Sequence, residues 1–263
     1  MAPPASRVPF LGRNDFLCYL DTAGRRFAFL FDVDKTTADT QQLQGGTVRV
    51  RGGIISACHL LVGKGHGVGF ISGRVEHRLL AATAGFFPIG SRHGRDLIFS
   101  DGSRMHVGPI VNVEREKEIA RAFVASRRDL IYFEDKESFE IGFQNAEHVK
   151  GQVNAFMESV VRDRPDLTLL PLKMVYEVVG KDANKGEAVK AFLRHDPMFR
   201  GKLPVYFGDD VGDYPAGRAV QEMGGILVWV GDLRSATDAQ ADVYVLNPAA
   251  VERLLVTFNM CAC

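Results

Sequence analysis

Three short apolar runs constrain this chain more than any other feature, because each breaks off at a polar cluster. Phe27 to Phe31 (FAFLF) stops at Asp32. Val68 to Ile71 (VGFI) stops at Ser72-Gly73-Arg74, and Leu203 to Phe207 (LPVYF) stops at Gly208-Asp209-Asp210. Unbroken apolar runs of this length suit strands buried on both faces, as in parallel sheets. Helical patterns fall between them at Gly53 to Val62, Glu76 to Ala84, Lys185 to Arg194 and Tyr214 to Met223, and further strand-like runs follow at Gly225 to Val230 and Asp242 to Leu246. The alternation predicts an α/β fold with a doubly wound, Rossmann-like parallel sheet. In such folds ligands sit beyond the carboxyl ends of the strands.

The middle of the chain has another character. Asp96 to Val107 reads as a hairpin turning at Asp101-Gly102, and Val113 to Arg127 as a charged helix. Strand-like runs flank Glu134-Asp135-Lys136, a helix is expected over Ala146 to Arg162, and strands over Leu167 to Val179. These predict an α+β cap, residues 108–180, inserted into a core made of 1–107 and 181–263.

Lys+Arg and Asp+Glu are both 32 in 263 residues. The balance gives no global field toward nucleic acid or an anionic membrane. No apolar run approaches the ~18 residues of a membrane span, and Met1 to Arg7 has no signal-peptide core and reads as a flexible leader. Cys18, Cys58, Cys261 and Cys263 have no zinc-finger spacing, and the last two read as a frayed tail. A reduced, cytoplasmic monomer acting on a small molecule, with no nucleic acid or membrane partner, is expected.

Four elements carry chemistry. Asp32 and Asp34 leave the first strand two residues apart; one carboxylate could attack phosphorus while the other handles the proton of the leaving group. A hard cation such as Mg2+ would be needed to hold a phosphate beside them. Ser72-Gly73-Arg74 offers a hydroxyl and loop amides for a phosphoryl oxygen, or Ser72 caps a helix. Lys185 opens a helix and could neutralise the phosphate, or lie on the surface. Asp209, Asp210 and Asp213 repel one another unless a cation or amides compensate; a solvated acidic loop is the alternative.

In this order the residues resemble the haloacid-dehalogenase superfamily. Its motifs are matched by Asp32, Asp34 and Thr36, by Ser72, by Lys185, and by Asp209, Asp210 and Asp213. The resemblance runs from about Phe27 to Leu246. It implies that Asp32 is the nucleophile, that Asp34 is the general acid and base, and that Ser72 and Lys185 stabilise the phosphoryl oxygens. Mg2+ would be held among Asp32, Asp34 (through its backbone carbonyl), Asp209, Asp210 and Asp213. One position departs: the residue after the second Asp is most often Gly in that superfamily, and here it is Lys35. Asp34-Lys35-Thr36 also resembles the P-type ATPase motif, a register that would make Asp34 the nucleophile. The strand end at Asp32 and the lack of a membrane span decide against it.

About 40 positions separate Asp32 from Ser72, and about 113 separate Ser72 from Lys185. The insert therefore lies between the second and third motifs, as in members with a type-2 cap, which act on small phosphorylated metabolites. Ile71-Ser72-Gly73-Arg74, His93-Gly94, Glu134-Asp135-Lys136, Lys173 to Glu177 (KMVYE) and Asp182 to Ala188 (DANKGEA) are most similar to trehalose-6-phosphate phosphatases. That resemblance implies hydrolysis of trehalose 6-phosphate through an aspartyl-phosphate. It assigns the sugar hydroxyls to Glu134, Lys136, Lys173 and Glu177, with Thr36, Gly73, Arg74 and His93 near the substrate. His93 could equally be a core histidine, and Arg74 a helix-start ion pair. The rival readings are a phosphatase for sucrose phosphate, a glycosyl-phosphoglycerate or another phosphosugar, and a non-catalytic phosphosugar-binding regulator on the same fold.

Overall fold

The computed structural model describes residues 16, 25–39, 48–143, 146–172 and 174–261. The leader, Cys18, Lys173 and Cys263 lie outside these residues. The three apolar runs are strands β1 (Phe27–Phe31), β2 (Gly67–Ile71) and β10 (Leu203–Gly208), with helices α1 (Gly52–Gly63) and α2 (Glu76–Ala82) on either side of β2 in sequence. The second helix ends two residues earlier than the pattern suggests, because Ala84 and Gly85 both turn to positive φ. A short strand β3 (Ile89–Ser91), too brief to stand out in the sequence, is followed by the hairpin β4 (Asp96–Ile98) and β5 (Arg104–His106).

The central segment forms α3 (Glu114–Val124), β6 (Ile131–Asp135), β7 (Ser138–Gly142), α4 (Lys150–Val161), β8 (Leu167–Pro171) and β9 (Val175–Gly180). The chain then returns through α5 (Lys185–His195), β10, α6 (Tyr214–Glu222), β11 (Ile226–Val230), α7 (Leu233–Asp238), β12 (Val243–Val245) and α8 (Pro248–Cys261). Neither α7 nor α8 was expected from the sequence.

An eight-stranded sheet runs β12-β11-β10-β1-β2-β3-β4-β5 and a four-stranded sheet runs β6-β7-β9-β8. In the large sheet all pairs from β12 to β3 are parallel, and the hairpin adds two antiparallel strands at the edge. The small sheet is wholly antiparallel. This is a doubly wound α/β core with an inserted α+β cap. Among the described residues no helix is long and apolar enough to cross a membrane.

The alternation along β1 explains why both faces are covered. Phe27, Phe29 and Phe31 point into one apolar layer with Ile54 and Leu61 of α1 and Leu254 and Phe258 of α8. Ala28 and Leu30 point into the other, with Val189 and Phe192 of α5 and Val220 of α6. Burying a Phe, Leu or Val side chain contributes about 1.5–3 kcal/mol, so these two layers fix the strand order. A separate apolar layer, with Phe139, Ile141 and Val178 facing Val153 and Met157 of α4, holds the cap.

Candidate active site

Parallel pairing sets the ends of β1, β2 and β10 side by side. Phe31 is in register with both Phe70 and Phe207, and the Asp32 amide donates to the Phe207 carbonyl at 2.9 Å. The residues that follow these strands therefore converge where the strand order turns from β1 toward β10 on one side and β2 on the other. A cavity opens there, lined by Asp32, Asp34, Ser72, Lys185 and Asp209 from the core and by Glu177 and Met174 from the cap.

Oxygens of Asp32, Asp209 and Asp213 lie within 4.8 Å of one another. Lys185 Nζ donates to Asp32 Oδ1 at 2.6 Å and to Asp213 Oδ1 at 2.7 Å. Asp213 is almost wholly enclosed: Tyr206 donates its hydroxyl to Oδ1 at 2.6 Å, and the amides of Asp209 and Asp210 reach Oδ2 at 3.0 and 3.1 Å. Thr36 Oγ1 donates to Asp209 Oδ1 at 3.1 Å. The Asp210 carboxylate accepts from the Val211 amide at 2.7 Å, closing a capping box with Asp213 over the short turn Val211–Asp213.

The crowding is visible in the protonation equilibria. Burial pushes the Asp32 carboxyl up to about 8; Lys185 opposes this, and Asp213 and Asp34 add to it. Burial, then Asp32 and Asp213, hold Asp209 well above the ordinary carboxylate range. Burial alone would lower Lys185, but Asp213 and Asp32 outweigh it and hold the ammonium above its usual value. Burial and Asp213 likewise raise the Tyr206 phenol. One ammonium does not compensate two buried carboxylates and a half-buried third.

Beside this cluster Arg74 grips Asp34 with both arms, Nε to Oδ2 and Nη2 to Oδ1, each at 2.7 Å. Arg74 is thus an ion-pair partner of Asp34. The Arg74 amide donates to Ser72 Oγ at 3.3 Å. His93 is buried and lies 2.8 Å through Nε2 from Glu177 Oε2. Gly73 makes room for it, since a Cβ at position 73 would lie 2.7 Å from the His93 ring. Lys35 adopts φ 55, a left-handed conformation in which glycine carries no Cβ penalty. This accounts physically for the glycine usual at that position.

The structure does not bring every expected residue to the cavity. Glu134 lines a neighbouring cavity that shares Glu177 and Glu140 with the first. Its carboxylate is taken by Arg121 of α3, through two contacts of 2.8 Å, and by the Tyr132 hydroxyl at 2.7 Å. Lys136 is exposed at the tip of the β6–β7 hairpin. Two lining or supporting residues were missed. Glu140 sits directly across from Glu177 in the β7–β9 register. Its signal was the alternation of Ser138 to Gly142, which places it on the face opposite Phe139 and Ile141. Tyr206 lies inside an apolar run and reads as core.

No protein-family model matches the chain. It is 27% identical over 232 residues to a Sinorhizobium fredii protein named "Probable trehalose-phosphate phosphatase", covering 88% of this chain and 87% of that one. Among solved structures, the C-terminal domain of the Candida albicans trehalose-6-phosphate phosphatase superposes with a TM-score of 0.82 at 18% identity, covering 97% and 99% of the two chains. A haloacid dehalogenase-like hydrolase from Bacteroides thetaiotaomicron superposes with a TM-score of 0.66 at 13% identity, covering 89% and 99%. The chain therefore has the fold of the haloacid dehalogenase-like hydrolases, and over most of its length it is similar to proteins named trehalose-phosphate phosphatases.

Proposed function

We propose that this protein is a phosphoric monoester hydrolase that releases phosphate from trehalose 6-phosphate through an aspartyl-phosphate at Asp32. The observation that carries the reading is the placement of buried Asp32, Lys185 and Asp213 with half-buried Asp209 in one cluster, facing a cavity whose other wall is the cap. The similarity to trehalose-phosphate phosphatases along most of the chain supports the choice of sugar.

The residues fit Mg2+. Their donors are carboxylate oxygens, the hard ligands that Mg2+ prefers, and the cluster is short of positive charge. Asp32 and Asp209 would hold the ion, with the Asp34 carbonyl, Asp210 and Asp213 beside them. When bound, it would neutralise charge on the phosphoryl oxygens. Asp32 attacks phosphorus, forming the carboxylate–phosphorus bond as the sugar C–O–P link loses its phosphorus. Asp34 gives a proton to the departing sugar oxygen and then takes one from the water that hydrolyses the acyl phosphate. Arg74 orients Asp34 for both steps. Lys185 and Ser72 face the phosphoryl oxygens.

Residues 108–180 serve as the cap in this reading, with Glu177 and Glu140 on the sugar side. Phosphate release from trehalose 6-phosphate, measured with Mg2+ and with excess chelator, tests the proposal. Release only with Mg2+ is expected; binding without turnover would support a regulator instead.

A further inference from the structure

The turn between β3 and β4 has an unusual backbone. Arg92 (φ 50) and His93 (φ 55) are consecutive residues with positive φ, followed by Gly94 (φ 86). Side chains with a Cβ rarely adopt this conformation, and it persists where the surroundings over-determine it. Here its result is that three side chains of one core turn all reach the cap. Arg92 Nη1 lies 3.2 Å from Asp135 Oδ2 and 3.4 Å from Glu137 Oε1. His93 meets Glu177, and Arg95 Nη2 donates to Glu137 Oε2 at 2.8 Å.

Arg95 is the most enclosed of the three. It and Glu137 are each 3% exposed. Its Nη2 also donates to the Pro109 carbonyl, in the segment that leaves the core for α3. Its Nη1 lies against Gly180, where an added Cβ would be only 2.4 Å away. Gly180 is the last residue of β9, just before the chain returns to the core. Both crossings between core and cap, and the tip of the β6–β7 hairpin, therefore meet on one guanidinium. Nε and Nη1 have no hydrogen-bond partner among the described residues. A buried guanidinium left half satisfied is costly, so local hydrogen bonding does not explain its burial.

We infer that Arg95, paired with Glu137, is a positioning residue for substrate selectivity: it seats the cap so that Glu177 meets His93 at the cavity wall. It acts through Glu177 and touches no substrate. The inference rests on the proposed phosphosugar reading, in which Glu177 faces the sugar. A phosphosugar needs the seated cap, whereas a small aryl phosphate reaches Asp32 without it.

The test uses Arg95→Met, Glu137→Gln and the double variant R95M/E137Q, all assayed with Mg2+ on trehalose 6-phosphate and on p-nitrophenyl phosphate. Each single change removes one side of the buried Arg95–Glu137 pair, with Arg92 still 3.4 Å from Glu137; the double change removes both charges and keeps the test open if a single variant fails to fold. We expect the double variant to lose about tenfold or more in kcat/KM on the phosphosugar, chiefly through KM. Its aryl phosphate hydrolysis should stay within about threefold, and Arg95→Lys should recover part of the loss. Equal losses on both substrates, or no loss on either, would overturn the inference. If the unaltered protein hydrolyses only the aryl phosphate, the sugar reading fails, and the positioning role is then read from a distance. Nitroxides are placed at Glu158→Cys on α4 and Arg234→Cys on α7, with Cys18, Cys261 and Cys263 replaced by serine. A distance distribution that R95M/E137Q broadens supports the role; one that it leaves unchanged overturns it.

Discussion

In the core, Asp32, Asp209 and Asp213 crowd around the ammonium of Lys185, whereas in the cap Glu116, Glu134 and Glu137 each face a guanidinium, of Arg164, Arg121 and Arg95. These three cap carboxylates are compensated within the protein. Those of the core are not, which is why burial drives Asp32 and Asp209 upward while Glu134, paired chiefly with Arg121, is lowered. The core holds an excess of negative charge that a cation would offset. In the proposed reading the cap supplies shape and directed hydrogen bonds to the sugar. Damage to the two regions should therefore read out differently: core changes act on every substrate, and cap changes act on the sugar.

The largest effect expected is from Asp32→Asn. The amide is isosteric but a poor nucleophile, so both trehalose 6-phosphate and an aryl phosphate should lose about a thousandfold or more in kcat, roughly 4 kcal/mol. The melting temperature should change little, since burial already favours the neutral Asp32 carboxyl and Asp213 still pairs with Lys185. A loss confined to the phosphosugar would break the contrast between the regions.

Chelation comes next. Excess chelator should abolish turnover of both substrates, and Mg2+ should restore it. A ligand bound by the native state alone at a hundred times its dissociation constant stabilises by about 2.7 kcal/mol, so a rise in melting temperature of several degrees is expected. Asp209→Asn should remove most of that rise. A melting temperature indifferent to Mg2+ would show that Lys185 and the Asp213 hydrogen bonds suffice by themselves.

Glu177→Ala sharpens the comparison from the cap side. Losing a hydrogen bond to a charged side chain costs about 1.5–3 kcal/mol, or roughly 10- to 150-fold in kcat/KM for the phosphosugar. Aryl phosphate hydrolysis should barely change. Since a loosened cap could slow both substrates, the ratio of the two losses is the quantity to measure. Equal losses would make Glu177 a support for His93 and the core.

The smallest effect belongs to Lys35→Gly. Relief of a positive φ should stabilise by about 1 kcal/mol, partly offset by glycine's greater freedom in the unfolded chain. The catalytic constants should shift by only a few-fold; a hundredfold loss, about 2.7 kcal/mol, would give Lys35 a place in the chemistry.

How much of this was legible in the sequence depended on range. The strand ends were legible, because FAFLF, VGFI and LPVYF are buried on both faces and stop where polar groups begin. Asp32, Ser72 and Asp209 followed from those ends, and Lys185 from its place at the start of a helical pattern. The Arg74–Asp34 grip was not legible, since it joins two loops 40 positions apart and an arginine after a strand has many partners open to it. Arg95 and Glu137 carried no local signal either, because their meaning lies in where two crossings meet. β3 was too short for any period to show. Glu134 and Lys136 came from resemblance to a phrase, and only the register could show that Glu134 shares a row with Phe139 and is taken by Arg121.

The most direct test of the account is to find where the phosphoryl group goes. Rapid acid quench of a single turnover on trehalose 6-phosphate, followed by peptide mass spectrometry, should show a phosphoryl adduct on the peptide containing Asp32 to Thr36. Borohydride trapping should place it at Asp32, and Asp34→Asn, given an aryl phosphate whose leaving group needs no proton, should make it accumulate, because Asp34 is assigned to activate the water. A phosphoryl group on Asp34, or turnover with no adduct in either protein, would contradict the account.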